Sequence, residues 1–297
     1  LASSNGNNYL DIAEINRTSI TGSFKVNNPK YRLKHLLTTS LLFDKKYLSP
    51  FTFSYSLKRE FHNHFNLYFN AGKVYRFPTI NDLFWNPGGN LNLVPEQGYT
   101  GDIGIIWNKK IHKVIFSFEP SLYSRWIDNW ILWQPTGSFW SPMNVKKVWN
   151  RGLETSSKVH FINKKITYDF TLKTAYNLST NIEVYNSNNN SQDKQLIYTP
   201  HYKLVFKSQI SYKEFTFTYL HNYTGYVFTS RDNENFLPSF NLGRLFLSCR
   251  VKFKNNSAKI FYKINNLYNT NYQVVMNRPM PLINHEIGIN FKINNEK

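Results

Sequence analysis

Several things are scarce in this sequence, and each shortage excludes something. Among 297 residues there is one cysteine, Cys249, so neither an internal disulfide nor a cysteine-based metal cluster can form. No apolar run reaches 18 residues, which excludes a transmembrane helix. Acidic residues number 18 against 36 Lys and Arg, giving a formal charge of +18. Such a balance suits nucleic acid, anionic lipid or an acidic ligand. The basic residues are scattered, however, or paired at strand ends and turns, as in Lys45-Lys46, Lys109-Lys110, Lys146-Lys147 and Lys164-Lys165. With no basic stripe or motif, no nucleic-acid partner is expected, and lipopolysaccharide or lipid headgroups fit better. An AT-rich genome would also favour the many Lys, Asn and Ile residues.

Catalytic arrangements are missing as well. His62 and His64 flank Asn63, and the other histidines are scattered without metal-ligand spacing. The serines lack a nucleophile-elbow motif. Glu60, Asp82, Glu96, Asp102, Glu119 and Asp128 form no recognisable acid–base pair. The expectation is a protein that is not an enzyme and holds neither metal nor cofactor. The chain opens on Leu1 with no signal peptide ahead of it, so a fragment or processed piece is expected.

What is abundant is aromatic residues, 7 Trp, 20 Tyr and 24 Phe, in a chain of negative mean hydropathy. Nearly all the apolar residues recur with period two. Phe215, Phe217, Tyr219 and Tyr223 fall on one face, and Glu214, Thr216, Thr218, Asn222 and Thr224 on the other. Ile283, Ile287, Ile289, Phe291 and Ile293 repeat this near the C-terminus, and Cys249 sits on the apolar face between Leu247 and Val251. Strict alternation over such lengths predicts strands with one apolar face. Thirteen are expected, at about 15–26, 31–43, 49–60, 63–76, 95–108, 111–134, 144–162, 165–183, 194–211, 213–230, 236–254, 257–275 and 282–293. Ten residues at about 3.3 Å each, tilted about 40°, rise about 25 Å, the height of the apolar band of outer-membrane barrels. Soluble strands are shorter, about 5–6 residues.

The connections alternate between tight turns rich in Asn and Lys and long loops near 77–93, 134–144, 184–193, 230–235 and 276–282. Aromatics such as Trp126, Trp130, Trp149, Tyr268 and Tyr272 gather near strand ends, where interfacial girdles form. The fold class predicted is all-β, a transmembrane antiparallel β-barrel, with residues 1–297 as one domain. A soluble two-sheet β-protein is the alternative. It would need shorter strands.

The stretch 74–97 carries the most specific signal. Pro78, Pro87, Gly88, Gly89 and Pro95 break any ladder, while Phe77, Phe84 and Trp85 argue for order, so an ordered outer loop is expected. Tyr75-Arg76-Phe77-Pro78, then Asp82-Leu83-Phe84, then Asn90-Leu91-Asn92-Leu93-Val94-Pro95-Glu96 closely resembles a marker segment of TonB-dependent outer-membrane receptors. Asn265-Asn266-Leu267-Tyr268-Asn269 with Tyr272 is similar to a structural motif of that family's penultimate strand, with Asn269 where the family has Asp. Arg151-Gly152-Leu153-Glu154 opening a strand is familiar there too. The segment 128–133 with Trp140-Ser141-Pro142-Met143-Asn144 and Trp85-Asn86-Pro87-Gly88-Gly89-Asn90 looks like the cobalamin-type receptors of Bacteroidota.

The resemblance implies a barrel of 22 strands around a plug. The thirteen strands would then be about 10 to 22, with nine strands, the plug and a coupling box upstream of Leu1. The family's terminal aromatic strand is matched by Phe291 and Ile293, with residues 294–297 as a departure. Arg76 and Glu96 either pair across the loop base or are each solvated. Loop tryptophans beside amides could grip a large amide-decorated macrocycle. The candidate ligand-binding residues are Trp85, Asn86, Asn90, Trp133, Gln134, Phe139, Trp140 and Asn144; girdle or loop packing is the competing role for the aromatics. The implied function is energy-coupled uptake at the Gram-negative outer membrane, with a cobalamin-type corrinoid as ligand. A ferric siderophore or a plugless porin-like pore is the alternative. Partners implied are the TonB complex, the large ligand, outer-membrane lipid and lipopolysaccharide, with a surface lipoprotein lid as an optional addition.

Overall fold

The computed structural model describes residues 2–4, 8–9, 13–47, 49–62, 64–185, 190–253 and 256–293. Its main feature is one antiparallel sheet of thirteen strands in which each strand pairs with its sequence neighbours. In order these are β1 Arg17–Asn28, β2 Leu33–Asp44, β3 Thr52–His62, β4 Phe65–Arg76, β5 Glu96–Ile111, β6 Val114–Thr136, β7 Phe139–Asn163, β8 Ile166–Glu183, β9 Tyr202–Tyr212, β10 Phe215–Thr224, β11 Phe240–Phe253, β12 Asn256–Asn265 and β13 Asn284–Lys292. Lengths run from 9 residues in β13 to 25 in β7, long enough to cross a bilayer throughout. Among the described residues β1 pairs only with β2 and β13 only with β12, so each keeps one open edge.

Alternation sorts the side chains by chemistry. Phe69, Ile103, Leu122 and Leu153 lie side by side across β4 to β7, and all four are exposed. The row continues in kind at Phe217 opposite Leu247 and Ile260 opposite Ile289. Ile287 is 77% exposed, a position that water would penalise and acyl chains would not. Cys249 belongs to this apolar face, paired with Ile260. The opposite face is polar. Asn70 sits between Ser56 and Asp102 and donates to the Asp102 carboxylate at 2.7 Å, while Lys158, Thr171 and Lys207 form another row. An apolar outside and a polar inside is the pattern of a barrel wall with a wet lumen.

The two ends of the wall differ. Short turns at 29–32, 112–113, 164–165 and 213–214, and the one through His64, occupy one end. In four of them Arg32, His112, Lys164 and Lys213 take positive φ between 49° and 54°, the twist that tight hairpins require. The described residues of loops 45–51, 77–95, 184–201, 225–239 and 266–283 occupy the other end.

All thirteen expected strands are present, with four corrections at their ends. The loop expected at 134–144 is instead the top of the β6–β7 hairpin, turning at Gly137 and Ser138. Beyond Asp128 β6 has lost β5, and beyond Lys147 β7 has lost β8. Both are edge strands there, which is where Pro135 and Pro142 can sit without breaking a ladder. Residues 194–201 belong to a loop that buries Leu196 and Ile197, not to β9. The segments 225–230 and 266–275 also leave the sheet. At the latter, Asn266 adopts φ 48° and its side chain accepts from the Thr270 amide at 2.9 Å, turning the chain away. Part of the loop near 184–193, and residues 294–297, lie outside the described residues.

Candidate ligand-binding site

The site is built where loop 77–95 meets the free-standing top of the β6–β7 hairpin. A short helix, α1 Ile80–Phe84, forms because Thr79 and Asp82 close a capping box. The Asp82 amide donates to Thr79 Oγ1 at 3.2 Å, and the Thr79 amide donates to the Asp82 carboxylate at 2.8 Å. Asp82 is only 5% exposed and its other oxygen accepts the Trp133 indole N–H at 2.7 Å. Arg76 lies 3.6 Å from Asp82 and grips Glu96 with two hydrogen bonds of 2.6 Å. Glu96 also accepts the Ile131 amide at 2.6 Å. The two ends of the loop are therefore clamped to each other and to the hairpin, which resolves the Arg76–Glu96 alternative in favour of pairing.

Apolar contacts complete the joint. Leu83, Leu93 and Ile131 form a small buried cluster with Ile15 and Phe84 against it, each full burial contributing about 1.5–3 kcal/mol. Arg17 ties the wall to the loop by donating to the Pro78 carbonyl at 2.6 Å, pairing with Asp44 at 2.8 Å and lying over the Phe77 ring. Tyr9 packs edge-on against Trp85 and donates to Asn81 at 2.7 Å.

The eight sequence candidates fall into three groups. Trp133, Asn90 and Asn144 hold the loops together. Asn90 donates to the Pro142 carbonyl at 3.1 Å. Asn144 accepts from the Val94 amide at 2.9 Å and donates to the Val94 and Asn129 carbonyls at 3.0 and 2.7 Å. Trp85, Asn86, Phe139 and Trp140 lie at the crest. Asn86 and Phe139 are exposed, Trp85 is half-buried, and half-buried Trp140 leans on Tyr198 at 5.2 Å. Gly88 lets the crest close: its φ is 121°, and an added Cβ would stand 2.0 Å from the Trp140 carbonyl. Gln134 stands apart, buried on the hairpin face opposite Trp133.

That opposite face, with Leu132, Gln134, Met143 and Val145, is covered by loop 184–201, and a cavity of ≈ 220 Å³ remains between them. Tyr185 anchors the loop by donating to Asn129 at 2.7 Å. Tyr185, Lys194, Leu196, Tyr198 and Arg231 were not signalled as site residues by the sequence: Tyr185 and Arg231 sit in polar loop segments with no period, and Lys194, Leu196 and Tyr198 read as the start of a strand. The capping box Thr79-Ile80-Asn81-Asp82 was legible and would have located α1.

Comparison with known proteins agrees with this architecture. The profile of the family described as TonB dependent receptor-like, beta-barrel matches residues 13–267. A vitamin B12 transporter BtuB of Vibrio vulnificus is 32% identical over 87 residues, which is 29% of this chain and 14% of that protein. A vitamin B12 transporter BtuB of Photobacterium profundum is 30% identical over 108 residues, 34% of this chain and 17% of that protein. The solved ferric enterobactin receptor PfeA of Pseudomonas aeruginosa superposes with a TM-score of 0.67 at 13% identity, covering 92% of this chain and 44% of that one. The copper transporter OprC gives 0.67 at 16%, covering 92% and 47%. At such identities the structures show the fold alone, and the chain spans less than half the length of either.

Proposed function

This chain belongs to the TonB dependent receptor-like β-barrel family, and we propose that it forms the loop-bearing wall of an outer-membrane receptor for energy-coupled uptake of a large, scarce nutrient. The observation that carries this reading is the joint at the top of the wall. Loop 77–95, the β6–β7 hairpin and loop 184–201 pack as one block that presents Trp85, Asn86, Phe139 and Trp140 together at the loop end. Flat apolar faces beside an amide suit a large ring bearing amide arms.

A cobalamin-type corrinoid is the ligand proposed, supported by the similarity to two vitamin B12 transporters. A ferric siderophore is the competing ligand, because ferric enterobactin and copper receptors share the fold. The two open sheet edges would leave backbone groups unsatisfied in lipid, so further strands of the same receptor are proposed to continue the wall. A plug inside the polar lumen and the TonB complex would complete the transporter. Outer-membrane lipid and lipopolysaccharide would meet the apolar face, with a surface lipoprotein lid as an optional addition.

The test is uptake. The gene product containing this chain is produced in a Gram-negative host lacking its own corrinoid receptor, and labelled cyanocobalamin is supplied with and without an uncoupler. Accumulation abolished by the uncoupler supports the reading. Uptake of a ferric siderophore instead would move the ligand assignment, and uncoupler-insensitive leakage would favour a passive pore.

A further inference from the structure

We infer that the β6–β7 hairpin carries a second binding site on the face away from α1, for a small amphipathic organic anion. The cavity there is ≈ 220 Å³, room for about seven waters at their liquid volume. That lies below the range of about 300–1,000 Å³ that encloses drug-sized ligands, and far below what a corrinoid ring needs. The site therefore takes a small molecule. It is distinct from the crest formed by Trp85, Phe139 and Trp140.

Three features define what fits. The walls are apolar, from Leu132, Met143, Val145, Leu196 and Ile197. The cavity's charged lining is of one sign: Lys146, Lys194 and Arg231, with no carboxylate among the described lining residues. Lys146 is matched by Glu183 at 3.3 Å, whereas among the described residues the Arg231 guanidinium meets the Met143 sulfur at 3.6 Å and no carboxylate. Asp232 feels the charge of Lys194 without an ion pair between them, and its carboxylate is already held by the Ser230 hydroxyl and the Glu234 amide.

Gln134 points to a ligand independently. It is 3% exposed and lines the cavity, and among the described residues its side-chain amide makes no hydrogen bond, so its polar atoms face the cavity space. Its neighbours are occupied. Gln195 accepts the Ser179 amide at 2.8 Å and donates to the Thr199 carbonyl at 3.2 Å, and Asn144 is fully engaged. An amide whose donor pair and acceptor open onto the cavity can bond a hydrogen-bonding group held inside it. The ligand that meets all three features has an apolar body, a hydroxyl or carbonyl at the Gln134 end and a negative charge toward Lys194 and Arg231.

The test uses the whole gene product in detergent micelles and two probes of one shape, 4-hydroxybenzoate and tyramine, followed by ligand-observed NMR without transport. Binding of 4-hydroxybenzoate should saturate and exceed that of tyramine by about tenfold or more. Gln134→Leu should weaken it by about tenfold. Gln134→Glu, nearly isosteric, should reverse the preference toward tyramine. Lys194→Gln with Arg231→Gln should bring the two probes level. Absence of saturable binding up to about 10 mM, equal affinity for both probes, or indifference to Gln134→Glu would overturn the proposal. Because uptake is not measured, this result is independent of whether the receptor carries a corrinoid.

Discussion

Trp133 and Asp82, 51 positions apart, are joined by a hydrogen bond of 2.7 Å from the indole N–H to a carboxylate that also closes the α1 capping box. This contact makes the orientation of loop 77–95 depend on the β6–β7 hairpin. Trp133→Phe keeps the ring and removes the donor, leaving a carboxylate oxygen short of a partner at a cost of about 1–3 kcal/mol. Hydrogen exchange at residues 79–90 should accelerate by about tenfold or more, while the strands keep their protection. Unchanged exchange in that segment would show that the contact is dispensable.

Gly88 allows the crest to close against the β6–β7 tip. Gly88→Ala places a methyl group where the Trp140 carbonyl stands and in a backbone conformation that alanine rarely adopts. The expected result is a normally assembled barrel whose segment 85–90 becomes open to protease and whose large-ligand binding is lost. Cleavage resistance equal to that of the parent would contradict the packing described.

The wall itself was legible in the sequence because one period of two governs each strand from Thr18 to Phe291. The errors sit where edges or loops replace a full ladder. Pro135 and Pro142 read as loop residues, yet both lie on strands that have lost an outer neighbour. Leu196 and Ile197 continue an apparent strand but are buried beneath the loop that contains them. Trp133, Asn90 and Asn144 were legible as polar or aromatic loop residues. Their hydrogen bonds to each other's loops were not, since those join residues 50 or more positions apart.

The outer face should behave as a lipid contact. Leu247→Arg, at the middle of β11, should destabilise the folded protein in bilayers by about 2–4 kcal/mol. Thr218→Arg, on the opposite face of β10, should cost far less. Urea unfolding in liposomes reads both. Equal costs would contradict the assignment of the faces.

Acid should loosen the loop end first. His201 packs against the rings of Tyr226 and Phe228, and burial lowers its pKa below the ordinary 6.5. A depressed histidine means that the unfolded state binds more protons below that value, so stability is complete above about pH 6.5 and falls as the pH drops toward the folded-state pKa. Amide protection factors around 225–228, taken relative to the intrinsic exchange rate at each pH, should therefore fall on acidification from about pH 7.5 to about pH 5. His201→Phe should remove that dependence. A pH-independent protection factor in the parent would contradict it.

The most direct test of the proposed receptor is equilibrium binding of cyanocobalamin to the detergent-purified gene product and to its Trp85→Ala and Trp140→Ala variants, with a ferric siderophore as competitor. Saturable corrinoid binding is expected, weakened by about tenfold or more in each variant and untouched by the siderophore. Corrinoid binding that is absent, or that both variants retain in full, would contradict it.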